Sequence, residues 1–304
     1  MELAMANILL IGGSGFVSGT TAHQALAQGH NVWAITRGQR PLADGITPIT
    51  VNRDDREAFS NAISSLNQTW DLVIDGIGYD SEDAQQDIAV FRDKTEHLIF
   101  ISTDFVFDPA HRKFPQSEAS NHYLEGTYGG KKRLCELELI NGDTGTMNWS
   151  VVRPCHIYGP GSKLGCLPNH GRDDNLIEHM RAGKPLELIG GGHFLQQPIL
   201  AKDLSNLMLS MLGNTKTYGE IFQAAGPEII ESREFYFIIA DILGVDRPQI
   251  NEIPVAEHLA AQPGHASFCC HRIYSLDKLN AVGASAPSTP VYDGLKSHVE
   301  SLLS

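Results

Sequence analysis

Short apolar runs alternate with segments of helical length through the first half of the chain. Residues 8–11, 31–36, 47–51, 72–75, 97–102 and 150–153 are dominated by apolar side chains and flanked by turn formers, which predicts six strands. Between them, residues 20–28, 56–67, 83–94 and 128–140 read as helices. Strands this apolar, separated by helices, predict a parallel sheet buried on both faces. Right-handed crossovers make such a sheet doubly wound. Its ligands bind beyond the carboxyl ends of the strands.

After Arg153 the pattern loosens. Residues 159–172 are rich in Gly, Pro and Asn and read as a loop. Helices are expected at 174–182, 202–212, 234–243 and 292–303, and strands at 186–189 and 221–224. The expected architecture is α/β: a doubly wound parallel sheet of the Rossmann kind with a smaller C-terminal substrate-binding part. Its division is residues 1–158 plus 196–225 for the dinucleotide-binding domain and 159–195 plus 226–304 for the substrate part, because the chain crosses between them more than once. No internal repeat or low-complexity segment is visible.

Composition narrows the function classes. The 304 residues carry 42% hydrophobic and 19% charged side chains, enough to build a core. A formal net charge of −13 argues against a nucleic-acid partner, whose phosphates are held by Lys and Arg. The one short basic cluster is Lys131, Lys132 and Arg133. Five cysteines, an odd number with no C-x-x-C spacing, point to neither a disulfide framework nor a metal site. The apolar run 8–11 is too short to span a bilayer and lacks signal-peptide flanks, so a cytoplasmic protein with no membrane partner is expected.

The first apolar run ends at Gly12, Gly13, Ser14 and Gly15, and a helix-compatible segment follows. Strand, glycine loop and helix in that order suit a dinucleotide: backbone N–H groups approach its pyrophosphate at the positive end of a helix. Ser18 stands where a third glycine is usual, and its small side chain still permits close packing. Further on, Tyr128 and Lys132 stand four apart and share a helix face. Thr103 follows an expected strand. An ammonium beside a phenol stabilises phenolate and lowers its pKa, which suits a proton shuttle. Such a pair also arises on an ordinary solvated helix face. Gly129 and Gly130 are odd inside a helix, so either something packs closely there or the helix starts at Tyr128.

Taken in order, these elements resemble the extended short-chain dehydrogenase/reductases, specifically the NAD-dependent epimerase/dehydratase family of sugar enzymes. The resemblance covers the glycine loop through Phe16, Ser102 with Thr103, and Tyr128 through Lys132. It continues through the run from Arg153 to Pro160, Gly183 to Leu186, Lys202 to Leu204, Asp277 to Leu279, and Gly294 with Leu295. It implies a catalytic set of Thr103, Tyr128 and Lys132: Tyr128 the general acid/base, Lys132 the partner of the nicotinamide ribose, Thr103 the residue that orients substrate oxygen. Loop and resemblance together place the cofactor on Gly12, Gly15, Phe16, Val17, Thr36, Arg37, Asn52, Arg53, Gly76, Tyr128 and Lys132. Arg37, with Arg40 nearby, stands where an acidic residue would hold the ribose of NAD; an arginine there suits the 2′-phosphate of NADP or stacks on adenine, and NADP is favoured slightly over NAD.

Departures from the family pattern bear on substrate. Phe105 occupies the place of the dehydratases' Glu, which disfavours dehydration. His156 replaces a substrate-contacting Asn, and Gln196 with Gln197 fall where an Arg meets the diphosphate of a nucleotide sugar; His156 and Gln196 are the expected substrate contacts. Residues 164–172, His193 and Phe194 are expected to shape the pocket. The implied activity is that of an NAD(P)-dependent epimerase or ketoreductase, and the implied substrate is a small sugar or nucleotide-sugar-like molecule with a hydroxyl or keto group. A homodimer through the Tyr128 helix is a further expectation, with Leu134, Leu137 and Ile140 as its apolar face. The alternative is a non-catalytic dinucleotide-binding redox sensor or a relative of the chloroplast stem-loop RNA-binding proteins.

Overall fold

The computed structural model describes residues 5–120, 122–169 and 173–304. Six strands run in sequence: β1 (Asn7–Ile11), β2 (Asn31–Thr36), β3 (Ile46–Thr50), β4 (Trp70–Asp75), β5 (Thr95–Ile101) and β6 (Asn148–Pro154). The strand Glu220–Ala224 joins them in a seven-stranded sheet of order Glu220–Ala224, β6, β5, β4, β1, β2, β3. Every pairing in it is parallel. Strand order reverses between β1 and β4, and their carboxyl ends open at Gly12 and Gly76. A ligand of a doubly wound sheet sits at that reversal.

The helices α1 (Phe16–Ala27), α2 (Arg56–Ser64), α3 (Ser81–Phe91) and α4 (Tyr128–Asn141) cover the sheet. Side chains alternate between faces along each strand. Ile8, Leu10, Leu72, Ile74 and Ile99 pack with Ala22 and Ala25 of α1 and Leu204 and Leu207 of the helix Ala201–Leu209. Leu9, Ile11, Val73, Leu98 and Phe100 pack on the opposite face with Phe59, Phe91 and Leu139 of α2, α3 and α4. Burial of each such side chain contributes about 1.5–3 kcal/mol relative to leaving it in water. A third cluster, with Tyr158, Leu188, Phe235 and Leu295, forms the core of the C-terminal part.

Two differences from the sequence-based expectation are informative. Helix α1 starts at Phe16, four residues before the expected 20. Its N-cap is Gly15 and no side chain caps its first turn, so the usual polar start signal is missing. The strand Ile250–Ile253 and the helices Val255–Ala261 and Asp277–Ala281 were not anticipated. Ile250–Ile253 is only half-buried at its ends and exposed between, and it finds its place by pairing with Leu186–Ile189. No helix among the described residues is long and apolar enough to cross a membrane.

Candidate active site

Gly12 ends β1 at φ +102°, a conformation that L side chains rarely adopt, and its N–H reaches Ile35 O at 2.9 Å. Ile77 leaves no room there: a Cβ on Gly12 would lie 2.7 Å from its side chain. Ser18 is buried and donates to Gly12 O at 2.5 Å, so the serine at the third glycine position packs closely and also ties helix to loop. The uncapped first turn of α1 leaves backbone N–H groups for an anion. This cradle fits a dinucleotide pyrophosphate.

Two of the cavities that open at the loop hold the expected site residues. The larger, about 460 Å³, is lined by Phe16, Val17, Gly76, Thr103, Tyr128, Lys132 and His156 among others. The second, about 380 Å³, is lined by Gly12, Gly15, Thr36, Arg37, Asn52 and Arg53, with Arg40 beside them. The residues expected at a cofactor and its reacting centre therefore divide between two adjoining spaces.

Thr103 caps a single 3-10 turn, Asp104–Val106, by accepting from Phe105 N–H at 3.2 Å. Its own O–H is left to donate to a substrate oxygen. Tyr128 is the first residue of α4, which Thr127 caps by accepting from Gly130 N–H at 3.1 Å. The double glycine has both of its expected causes. The helix starts at Tyr128, and a Cβ on Gly129 would lie 1.9 Å from Phe105 O. That approach brings the Thr103 turn against the start of α4.

Lys132 is buried, and its Nζ donates to Gly78 O at 2.6 Å and Ile101 O at 2.5 Å. Burial lowers its pKa against the pull of Asp75. The expected depression of the Tyr128 pKa is not found. Burial, then Tyr79 and Cys135, push this phenol up to about 12. The ammonium is committed to two backbone carbonyls.

Buried ion pairs flank the candidate residues. Glu136 of α4 accepts from Ser102 Oγ at 2.5 Å and from Arg153 Nε and Nη2 at 2.8 and 2.6 Å. Burial alone would raise its pKa; the bonds and charge of Arg153, with Ser102 and Arg133, hold it below the usual carboxylate range. On the other side of Thr103, the Asp104 carboxylate meets Arg272 and the Tyr274 hydroxyl. Arg272 lies 4.1 Å over the Phe105 ring, whose edge packs on Phe268 and Tyr128.

Arg53 lines the second cavity, yet its guanidinium is committed to the fold. It bonds Asp75 at 2.9 Å, Asp87 at 2.7 Å and Asp83 O at 3.0 Å. Burial would raise Asp75, but Arg53 holds it below its ordinary value, while burial and the Asp75 charge push Asp87 well above its own.

Gln196 is the exception among the expected site residues. Its side chain is fully buried in the short strand Leu195–Gln196 and lines neither cavity. Pairing with Ile230–Glu231 turns that side chain inward. Gln197 is equally committed, donating to Gly226 O at 2.8 Å and accepting from Tyr274 N–H at 2.9 Å. His193 also lies away from the pocket, at the surface against Glu231 and Arg233. Phe194 is likewise absent from both cavity walls and lies against the His271 ring. Gly165, Leu167 and Asn169 of the 164–172 loop do line the larger cavity; His170, Gly171 and Arg172 lie outside the described residues. Tyr79 and Glu136 were missed, since neither belongs to a recognisable motif.

A parallel sheet reversing over a glycine cradle, with Thr, Tyr and Lys at the carboxyl ends, defines the class of extended short-chain dehydrogenase/reductases. The profile of the NAD-dependent epimerase/dehydratase family matches residues 8–225, and the chain belongs to that family.

Among curated relatives, the chain is 26% identical over 259 residues to the chloroplast stem-loop binding protein of 41 kDa b of Arabidopsis thaliana, covering 80% of this chain and 65% of that protein. It is 25% identical to dTDP-4-dehydro-6-deoxy-D-allose reductase of Streptomyces bikiniensis, covering 95% and 94%. Its fold is similar to that of UDP-glucose 4-epimerase of Thermotoga maritima, with TM-score 0.77, 19% identity and 98% of each chain covered. It is also similar to the Thermus thermophilus UDP-glucose 4-epimerase solved with NAD, at TM-score 0.74, 18% identity and 98% and 99% coverage.

Proposed function

We propose that the protein is an NAD(P)-dependent sugar ketoreductase or epimerase. The observation that carries this reading is the convergence of Thr103, Tyr128 and Lys132 on one cavity with Phe16 and Val17 of the glycine loop. A bound nicotinamide supplies hydride exchange with a substrate carbon. Tyr128 gives or takes the proton of the reacting oxygen, Thr103 donates a hydrogen bond to it, and Lys132 holds the nicotinamide ribose. His156, buried in the cavity wall, contacts the substrate. Phe105 in that wall brings no carboxylate to eliminate water. The named allose reductase and the UDP-glucose epimerases support a sugar-type substrate. The third apolar cluster supports the division into a dinucleotide-binding domain (1–158 plus 196–225) and a substrate part.

The reaction class is tested by denaturing freshly purified protein and identifying any released small molecule by mass spectrometry. Tightly held NAD(H) is the result for an epimerase that recycles its cofactor. NADP(H), or an empty site that prefers added NADPH to NADH, is the result for a reductase. Binding of neither dinucleotide overturns the reading. Arg37 and Arg40 are exposed at the second cavity and support NADP. Arg37→Ala is expected to weaken NADPH binding about tenfold and leave NADH unchanged. Equal loss of both would remove Arg37 from the discrimination.

The similarity to the stem-loop binding protein favours a second reading, an RNA-associated protein. The net charge of −13 opposes it, and Lys132 of the basic cluster points into the core. Salt-sensitive RNA retention without dinucleotide binding would reverse the ranking.

A homodimer is proposed through α4, where Leu134 and Ile140 are exposed instead of packed in the core. Sedimentation is expected to show a dimer at micromolar concentration; monomer alone would reject it.

A further inference from the structure

Tyr79 follows β4 in the turn that leads to α3, and neither the glycine loop nor the Thr, Tyr and Lys set accounts for it. It is the one described residue that lines both cavities. Its backbone is fixed, because its N–H donates to Asp83 Oδ2 at 2.8 Å. Asp83 in turn accepts from Arg56 at 2.6 Å and lies within 3.3 Å of Arg53. The side chain is not buried: Tyr79 is 52% exposed, so an anchored turn carries a ring into open space.

That ring stands beside the reacting groups. Lys132 Nζ lies 5.4 Å from its centroid, and Tyr128 shares the larger cavity with it. The same turn passes over the glycine loop, where Ile77 abuts Gly12. A molecule with its adenosine end near Arg37 and its reacting end near Lys132 must pass the Tyr79 ring.

We propose that Tyr79 is a positioning residue that clasps a bound dinucleotide where its two halves join, the ring lying against the pyrophosphate–ribose stretch between the cavities. The inference rests on the dinucleotide reading above. It adds that the ring recognises the whole dinucleotide and not its adenosine half. An aromatic ring presents a rigid contact surface at little entropic cost, and the anchored turn presents this one in place.

The test is calorimetric titration of wild type, Tyr79→Ala and Tyr79→Phe with two probes, NADPH and adenosine 2′,5′-bisphosphate. The second probe fills only the Arg37 end. Tyr79→Ala is expected to weaken NADPH about tenfold and to leave the bisphosphate within about twofold of wild type. Tyr79→Phe, which keeps the ring, is expected to restore most of the NADPH affinity. Unchanged NADPH affinity in Tyr79→Ala, equal weakening of both probes, or no rescue by phenylalanine would overturn the clasp. Where the protein holds NAD(H), NADH and AMP replace the two probes with the same expectations; a wild-type protein that binds none of the four would instead overturn the dinucleotide reading, and the clasp with it.

Discussion

Tyr128→Phe is expected to lower turnover by about a hundredfold to ten-thousandfold while leaving NAD(P)H affinity within about threefold of wild type. The substitution removes one oxygen from a half-exposed residue at the start of α4. It leaves Lys132, its two carbonyl partners and the glycine cradle in place. Steady-state turnover of the carbonyl substrate, read from NAD(P)H absorbance, separates the two effects. Retained turnover would take Tyr128 out of the proton transfer.

The direction of the Tyr128 pKa adds a signature. With the phenol pushed up to about 12, the donor form needed for carbonyl reduction is fully present at neutral pH. The reduction rate should stay flat across the neutral range and fall only towards high alkali. The reverse oxidation needs the phenolate and should rise with pH over the same range. A reduction rate that fell with an apparent pKa near neutrality would mean that the lysine ammonium turns towards Tyr128 during the reaction.

Much of this arrangement was legible in the chain because it follows from local patterns. Apolar runs such as 8–11 and 72–74 read as buried strands, and their alternation with helices implies a parallel sheet. The odd Gly129 announced a close approach, and the Phe105 carbonyl is what approaches. What was not legible depends on partners remote in sequence. Helix α1 begins at Phe16 without a polar cap because its first turn faces the glycine cradle. Gln196 looked like a substrate contact by its place in the motif order, yet strand pairing with Ile230–Glu231 turns it inward. Arg53 lines the second cavity beside Asn52, and three aspartates from β4 and α3 claim its guanidinium. A lone charged residue does not reveal which partner the fold will bring.

Glu136 is the strongest case of such a hidden partner, and Glu136→Gln is expected to destabilise the protein by about 3–5 kcal/mol. Its carboxylate joins three elements: α4, the end of β5 through Ser102, and β6 through Arg153. Glu136 and Arg153 are both fully buried. Glutamine would remove the charge and turn an N–H₂ group towards donors, leaving the guanidinium with no counter-charge in a low-dielectric interior. Urea unfolding at neutral pH measures the loss. Removing both charges, as Glu136→Leu with Arg153→Met, is expected to recover much of it, because the cost lies in the unpaired ion more than in the lost attraction. The pH dependence has a fixed sign. A carboxylate held below its ordinary value stabilises the fold above that value and loses its contribution as pH falls through the folded one, so the variant should show a shallower acid limb. A loss below about 1 kcal/mol would mean that the cluster does not fasten α4. The consequence for chemistry follows from position. Ser102 precedes Thr103, and Glu136 lies one helical turn beyond Lys132, so this buried pair sets how the threonine turn meets the tyrosine and the lysine.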